Sequence, residues 1–166
     1  LIPVKNMAEL LHAFAALHGE PRLIIFGDGP ESGALRALCA ELGLYSRVSF
    51  RGHCPREKLA EAYAAADCFV LASRSETFGV AYIEAMAAGL PVIATRCGGP
   101  EDFVTEENGI LIPVDDEDAL TGAMEHMMLR REDYDSAAIS ADIRRKFAPE
   151  TIAARLTELY EGVLSC

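Results

Sequence analysis

The sequence predicts an α/β domain: a doubly wound parallel sheet with helices on both faces. Two observations carry this. Short β-rich apolar runs recur along the chain, and each is followed by a polar-apolar pattern of helical period, the signature of repeated strand-helix units. The runs are also nearly continuous in apolar residues, as strands covered on both faces must be. They place strands at Arg22–Phe26, Val48–Phe50, Cys68–Leu71, Val92–Ala94 and Ile110–Ile112.

Helices fill the intervals. The first is predicted from Asn6, as N-cap, to His18, with Leu10, Leu11 and Phe14 on one face and Gly19 ending it. Others are predicted at Glu31–Leu42, Pro55–Ala64, Val80–Ala88, Asp116–Leu129 and Pro149–Leu164, the last opening with Pro in its first turn. No linker, internal repeat or low-complexity stretch divides the chain, so residues 1–166 are expected to form one domain. An open parallel sheet normally starts with a central strand, whereas this chain starts with a helix; a first strand is expected upstream of Leu1.

Composition excludes several classes of function. With 166 residues, 51% hydrophobic and 25% charged, the chain can bury roughly 70% of its unfolded surface and needs neither disulfides nor metal to hold a core. Fifteen basic against 26 acidic side chains give a net charge of −11. An acidic chain with no basic run and no Trp has no footprint for nucleic acid. No stretch approaches a membrane span, and Leu1–Lys5 lacks the layout of a signal peptide, so the expected compartment is the cytosol. The five cysteines (Cys39, Cys54, Cys68, Cys97, Cys166) are scattered, without a CxxC pair or a His at zinc-ligand spacing; they read as reduced thiols, most of them core filler.

Two segments carry candidate chemistry. Gly27-Asp28-Gly29-Pro30 lies between a strand and a helix, where glycines permit a tight turn and close approach to a phosphate. A dinucleotide fingerprint would need glycine at position 32, which is Ser32, and an acid where Arg51 stands. An ordinary turn and a ligand loop are equally good readings.

The denser segment is Ser73 to Pro91. Glu76 falls in the loop at the carboxyl end of a strand, and Glu84, eight residues on, about one turn into the next helix, so both can face the crevice where such sheets bind ligands. Gly79 allows close backbone approach, and the free N–H groups of Phe78, Gly79 and Val80 at the helix start suit an anion such as a diphosphate. A lone Glu is usually a solvated acid. Glu84, however, sits among Ala81, Ile83, Ala85, Met86, Ala87 and Ala88, in a helix apolar nearly all round, and there it needs partners.

These residues resemble the retaining glycosyltransferases of family 4, which have the GT-B fold. The E-x7-E pattern from Glu76 to Glu84 is the family's hallmark. The resemblance spans nearly the whole chain: Lys5-Asn6, Gly27-Asp28-Gly29-Pro30, Val48-Ser49-Phe50-Arg51-Gly52, Ala85-Met86-Ala87-Ala88-Gly89-Leu90-Pro91-Val92, Cys97-Gly98-Gly99-Pro100-Glu101 and Asn108-Gly109. It implies a Rossmann-like C-terminal half of a GT-B enzyme, binding a nucleotide-sugar donor for transfer to an acceptor held by an N-terminal domain outside this sequence. The family's phosphate-binding Arg would fall just before Leu1, leaving Lys5 as its partner.

Position by position, the resemblance assigns the diphosphate to Lys5 and to the N–H groups around Thr77, Phe78, Gly79 and Val80, and the ribose hydroxyls to Glu84. Glu76 would face the donor sugar as the catalytic residue. The backbone of Phe50, Arg51 and Gly52 would line the base, Gly27 and Gly29 would keep the floor open, and Cys97, Gly98 and Gly99 would add a loop at the same edge. A cation and a helix start can stabilise a departing diphosphate, so no metal or other cofactor is expected. The triplet Asp116-Glu117-Asp118 reads as a helix cap with first-turn acids rather than a metal site.

Of the histidines, His12, His18 and His126 fall on helices and only His53 lies near the expected cleft; solvent-facing is the better reading for each. No G-x-S-x-G, HExxH or P-loop pattern occurs. A donor-binding module without catalysis and a sugar-nucleotide epimerase of the same fold are the alternatives, and this chain alone is expected to be inactive. In the final helix Ile152, Leu156, Leu159, Tyr160 and Val163 form an apolar stripe. Its simplest reading is packing on the sheet; left uncovered, it would favour a homodimer.

Overall fold

Five parallel strands make up two short sheets in the structure, a computed structural model that describes residues 1–164. In the first, β1 (Leu23–Phe26) pairs with β2 (Val48–Gly52), with Leu23 opposite Val48 and Ile25 opposite Phe50. In the second, β4 (Val92–Thr95) lies between β3 (Phe69–Leu71) and β5 (Gly109–Ile112). Both neighbours of β4 are hydrogen-bonded to it and all four of its residues are buried, Thr95 included, as a central strand covered on both faces must be. Among the described residues seven α-helices accompany the strands: α1 (Met7–Ala16), α2 (Ser32–Glu41), α3 (Arg56–Ala64), α4 (Val80–Ala87), α5 (Glu117–Arg130), α6 (Ser136–Phe147) and α7 (Pro149–Leu164). The architecture is the α/β one expected.

The first residues tie the two sheets together. The amino group of Leu1 donates to the Asp28 carbonyl beyond β1, and the Leu1 carbonyl accepts from Glu31 N. The Val4 carbonyl accepts from Arg74 N, beyond β3, at 2.8 Å. Leu1–Lys5 thus crosses the carboxyl-end edge of both sheets, where the loops after parallel strands gather.

Several boundaries differ from expectation. The first helix ends at Ala16, because Leu17 is extended (φ −67°, ψ 137°); Gly19 plays no part in stopping it. Asn6 does precede that helix, but its side chain caps none of the helix N–H groups: the residue is left-handed (φ 49°, ψ 41°) and its side-chain amide donates to Glu9 and Asp115. Pro55 is the residue before α3 rather than part of it. Asp116 caps α5 as predicted, its carboxylate accepting from Ala119 N at 2.9 Å.

Helix α6 is an addition to the elements the sequence predicts. Its signals are present: Asp135 accepts from the N–H groups of Ala137 and Ala138, and Ile139 and Ile143, one turn apart, are buried. The helix docks on the end of α4, where Ser140 and Arg144 donate to the Ala87 carbonyl. Gly89 makes that approach possible, since a Cβ there would lie 2.9 Å from the Ser136 carbonyl oxygen. The core gathers Leu10, Leu11, Phe14, Tyr82, Met86, Ile93, Phe103, Leu120 and Ile143, all nearly inaccessible. Of the described cysteines, all free thiols, Cys39 is buried in the core and Cys68 is partly buried against it, so core filling describes two of them; Cys166 lies outside the described residues.

Candidate functional site

Glu76 stands where the loop after β3 runs alongside the loop after β4. Its N–H donates to the Cys97 carbonyl (3.2 Å) and its carbonyl accepts from Gly99 N (2.8 Å), so the two loops continue the β3–β4 pairing beyond the sheet. Glycine is demanded here by contact. A Cβ on Gly99 would lie 2.5 Å from the Phe78 Cα, and one on Gly98 2.8 Å from the Glu76 carbonyl oxygen. Gly98 and Gly99 therefore back the Glu76–Phe78 segment and fix its path.

The Glu76 side chain is only 12% exposed. A carboxylate so enclosed needs compensation. Lys5 Nζ lies 2.5 Å from Oε1, and Ser73 Oγ donates to the same oxygen at 2.9 Å. Lys5 comes from 71 residues upstream, at the close of a 3₁₀ turn (Pro3–Lys5), and is one-third exposed.

Three residues beyond Glu76 the backbone turns into α4 through Gly79, left-handed at φ 86° and ψ 47°. A Cβ there would meet the Tyr82 ring at 2.9 Å as well as being strained. The first bond into the helix is Tyr82 N to the Gly79 carbonyl, so the preceding N–H groups have no partner within the helix. Thr77, Phe78 and Val80 are exposed around this start. The Phe78 ring leans edge-on against Phe147 and Phe103 (centroids 5.5 and 6.4 Å), which anchors the segment to the end of α6.

Glu84 lies one turn into α4, 34% exposed, with Arg56 Nη2 of α3 at 3.1 Å. Tyr82, Ala85 and Met86 of the same helix are buried, and the Tyr82 hydroxyl donates to the Leu71 carbonyl. Glu84 is thus the acidic interruption of an otherwise inward-packed helix. Burial pushes the nearby Tyr63 hydroxyl up to about 12, with the Glu84 charge adding to it.

The structure brings Lys5, Glu76, Thr77, Phe78, Gly79, Val80, Gly98 and Gly99 together. The turn after β1 is built differently from the open floor expected of Gly27 and Gly29. The Asp28 carboxylate accepts from Gly29 N and from Ser32 Oγ, and the Leu1 backbone occupies the space beside Gly29. The hydroxyl of Ser32 and the N–H of Gly29 hold the Asp28 carboxyl below the usual carboxylate range. Ser32, which breaks the dinucleotide fingerprint, closes an ordinary turn here. The Phe50 ring lies under the Arg36 guanidinium of α2, 4.7 Å from the ring centroid. Arg51 is exposed, and Gly52 (φ 64°) accepts from Gly27 N at 2.7 Å.

His12, His18, His53 and His126 are exposed. Among the described residues no three His, Cys, Asp or Glu side chains cluster as a metal site, and no helix is long and apolar enough to cross a membrane. Arg74, Asp115 and Arg56 join the site's hydrogen bonds although no motif in the sequence marks them. Their partners lie 28 to 109 residues away, and local pattern carries no signal for such pairing.

Residues 1–143 match the family model described as glycosyl transferases group 1. The chain is 35% identical over 165 residues to a GDP-mannose-dependent alpha-mannosyltransferase of Mycobacterium tuberculosis, covering 98% of this chain and 41% of that protein. It is 31% identical over 166 residues to an N-acetyl-alpha-D-glucosaminyl L-malate synthase of Bacillus anthracis, covering 97% and 43%. Among solved structures, the Anabaena HepE protein in complex with UDP and glucose superposes with a TM-score of 0.86 at 26% identity, covering 98% of this chain and 46% of that one. The chain spans less than half the length of the relatives it matches.

Proposed function

Because the chain belongs to the glycosyl transferases group 1 family, we propose that it is the donor-binding half of a retaining GT-B glycosyltransferase, whose acceptor is held by a domain outside residues 1–166. The observation that carries this reading is the juxtaposition of the Lys5–Glu76 pair with the start of α4, with Glu84 one turn further on. A nucleoside diphosphate sugar needs a cation and N–H donors for its diphosphate, an acceptor for its ribose hydroxyls, and a group facing the sugar.

In this reading Lys5 and the N–H groups of Phe78, Gly79 and Val80 take the diphosphate. The ammonium has three donors, so it can bind a phosphate oxygen while keeping Glu76. When the bond between the sugar's anomeric carbon and the diphosphate oxygen breaks, its electron pair goes to that oxygen. Lys5 and the helix start stabilise the charge that develops there. The acceptor hydroxyl oxygen then bonds to the anomeric carbon on the face the diphosphate left, its proton passing to the departing diphosphate oxygen, with Glu76 against the sugar. Glu84 accepts from the ribose, and the backbone at Phe50, Arg51 and Gly52 borders the base, with Thr77, Gly98 and Gly99 shaping the wall. Gly27 and Gly29 contribute by seating Leu1 rather than by touching donor.

The names of the relatives support a sugar donor activated by GDP or UDP. Titration calorimetry of this chain with UDP, GDP and ADP, with and without EDTA, tests the reading. Binding of at least one diphosphate is expected, undiminished by EDTA. If EDTA removes all binding, a metal takes part; if none binds in either condition, the donor site is wrongly placed. No sugar transfer is expected from this chain alone.

A further inference from the structure

Among the described residues only two besides glycine are left-handed, Asn6 (φ 49°) and Asp115 (φ 56°), and they are hydrogen-bonded to each other across 109 residues. Asn6 Nδ2 donates to Asp115 Oδ1 at 3.2 Å, and Arg74 Nε donates to the same oxygen at 2.7 Å. Asn and Asp tolerate this conformation better than other side chains, but holding both in it needs surrounding structure.

The consequence lies in what each partner adjoins. Asn6 follows Lys5 directly and is 6% exposed; its N–H closes the 3₁₀ turn on the Pro3 carbonyl, and its side chain also donates to Glu9. Arg74 precedes Glu76 by two residues, and its N–H holds the Val4 carbonyl. One carboxylate oxygen of Asp115 therefore fastens the backbone that carries Lys5 to the loop that carries Glu76. We propose that Asp115 is a positioning residue for diphosphate binding, fixing the Lys5 ammonium over Glu76 and beside the α4 start. This rests on the donor reading given above.

A purely structural role would look different. The Asp115 and Arg74 side chains are 55% and 50% exposed, and exposed ion pairs contribute little to global stability. The pair's effect should thus fall on the local path of the Lys5 turn.

The test uses the whole chain and titration calorimetry with UDP and GDP, and with uridine and guanosine as diphosphate-free controls. Asp115→Gly is the informative variant, because glycine adopts the left-handed conformation without strain and only the carboxylate is removed. Asp115→Asn keeps an acceptor oxygen and the same backbone preference. Lys5→Met keeps the stem and removes the charge.

Expected are a loss of about fivefold or more in diphosphate affinity for Asp115→Gly, no change for the nucleosides, and substantial rescue by Asp115→Asn. In the Lys5→Met background Asp115→Gly should have no further effect, since both changes remove one function. The inference is overturned if Lys5→Met weakens the diphosphate while Asp115→Gly does not, if the two losses are additive, or if the nucleosides weaken equally. A Lys5→Met protein that binds diphosphate like wild type instead overturns the role given to Lys5, and the inference with it.

Discussion

The Lys5 ammonium sits 2.5 Å from one oxygen of Glu76, and that oxygen also accepts from Ser73. The two charged groups proposed to serve different parts of a donor, diphosphate and sugar, thus neutralise each other. A diphosphate must compete with Glu76 for Lys5, or share it.

Replacing Glu76 by Gln should accordingly leave nucleoside diphosphate affinity unchanged or raise it, because the amide pairs less strongly with the ammonium and frees its charge. In a protein joining this chain to the proposed acceptor domain, turnover should fall, since Glu76 is proposed to meet the reacting sugar. Calorimetry and steady-state rates check the two halves. A clear loss of diphosphate affinity in Glu76→Gln would contradict the assignment.

Glu84→Gln should weaken nucleoside, nucleoside diphosphate and nucleotide sugar alike, at a cost of ~1–3 kcal/mol, by loosening the charge-assisted contact with ribose proposed for it. Its Arg56 partner is 85% exposed, so Arg56→Ala should change folding stability by under ~1 kcal/mol. Calorimetry with uridine and UDP, alongside urea melts, measures both. Loss of UDP affinity with uridine affinity intact would place Glu84 at the phosphates instead.

Gly99→Ala should damage both fold and site. A Cβ at that position comes within 2.6 Å of three backbone atoms of Phe78, and no side-chain rotation can relieve a backbone overlap. A destabilisation of ~1–3 kcal/mol is expected, with diphosphate binding abolished as the α4 start is displaced. Chemical denaturation and calorimetry test it; an alanine variant that binds like wild type would mean the two loops do not touch.

How far the sequence reveals this arrangement depends on range. The strands and most helices are legible because periodicity is local, and Glu76, Gly79 and Glu84 are legible because they share one strand-loop-helix unit. The end of α1 is misplaced because Leu17, a residue with no stopping signal, turns the chain where Gly19 looks like the stop. Helix α6 escapes the reading although Asp135 and its two buried isoleucines announce it. Asp115 and Arg74 have no local signature, as their meaning comes only from meeting Asn6 and the Lys5 turn across the fold.

The final helix departs from its simplest expectation. Leu156, Leu159, Tyr160 and Val163 are 48 to 75% exposed rather than packed on the sheet. An apolar stripe of this kind favours self-association when nothing covers it. Sedimentation velocity of this chain should show a dimer growing with concentration, reduced by Leu159→Glu. A monomer at every concentration would remove the stripe as an association surface.

Glu9 gives a prediction with a definite sign in pH. It sits in the first turn of α1, beneath the Asn6–Asp115 contact, with Oε1 buried and unpartnered. Burial raises its carboxyl above the ordinary value of 4.5, and the Asp115 and Glu117 charges push the same way, against the Asn6 hydrogen bond and Arg74. The native state therefore holds this proton more tightly than the unfolded chain does. Stability tied to Glu9 is fully present below pH 4.5 and is lost as pH rises through the elevated native value. Glu9→Gln removes the titration while keeping an oxygen for Asn6. It should be more stable than wild type at pH 7 and lose that advantage at pH 4. The gain should stay under ~1 kcal/mol, because the positive end of α1 already favours a charge at this position. Urea denaturation at the two pH values measures the difference. An advantage larger at pH 4 than at pH 7 would mean that Glu9 is stabilised as the carboxylate, and that the cluster around Asp115 welcomes its charge rather than opposing it.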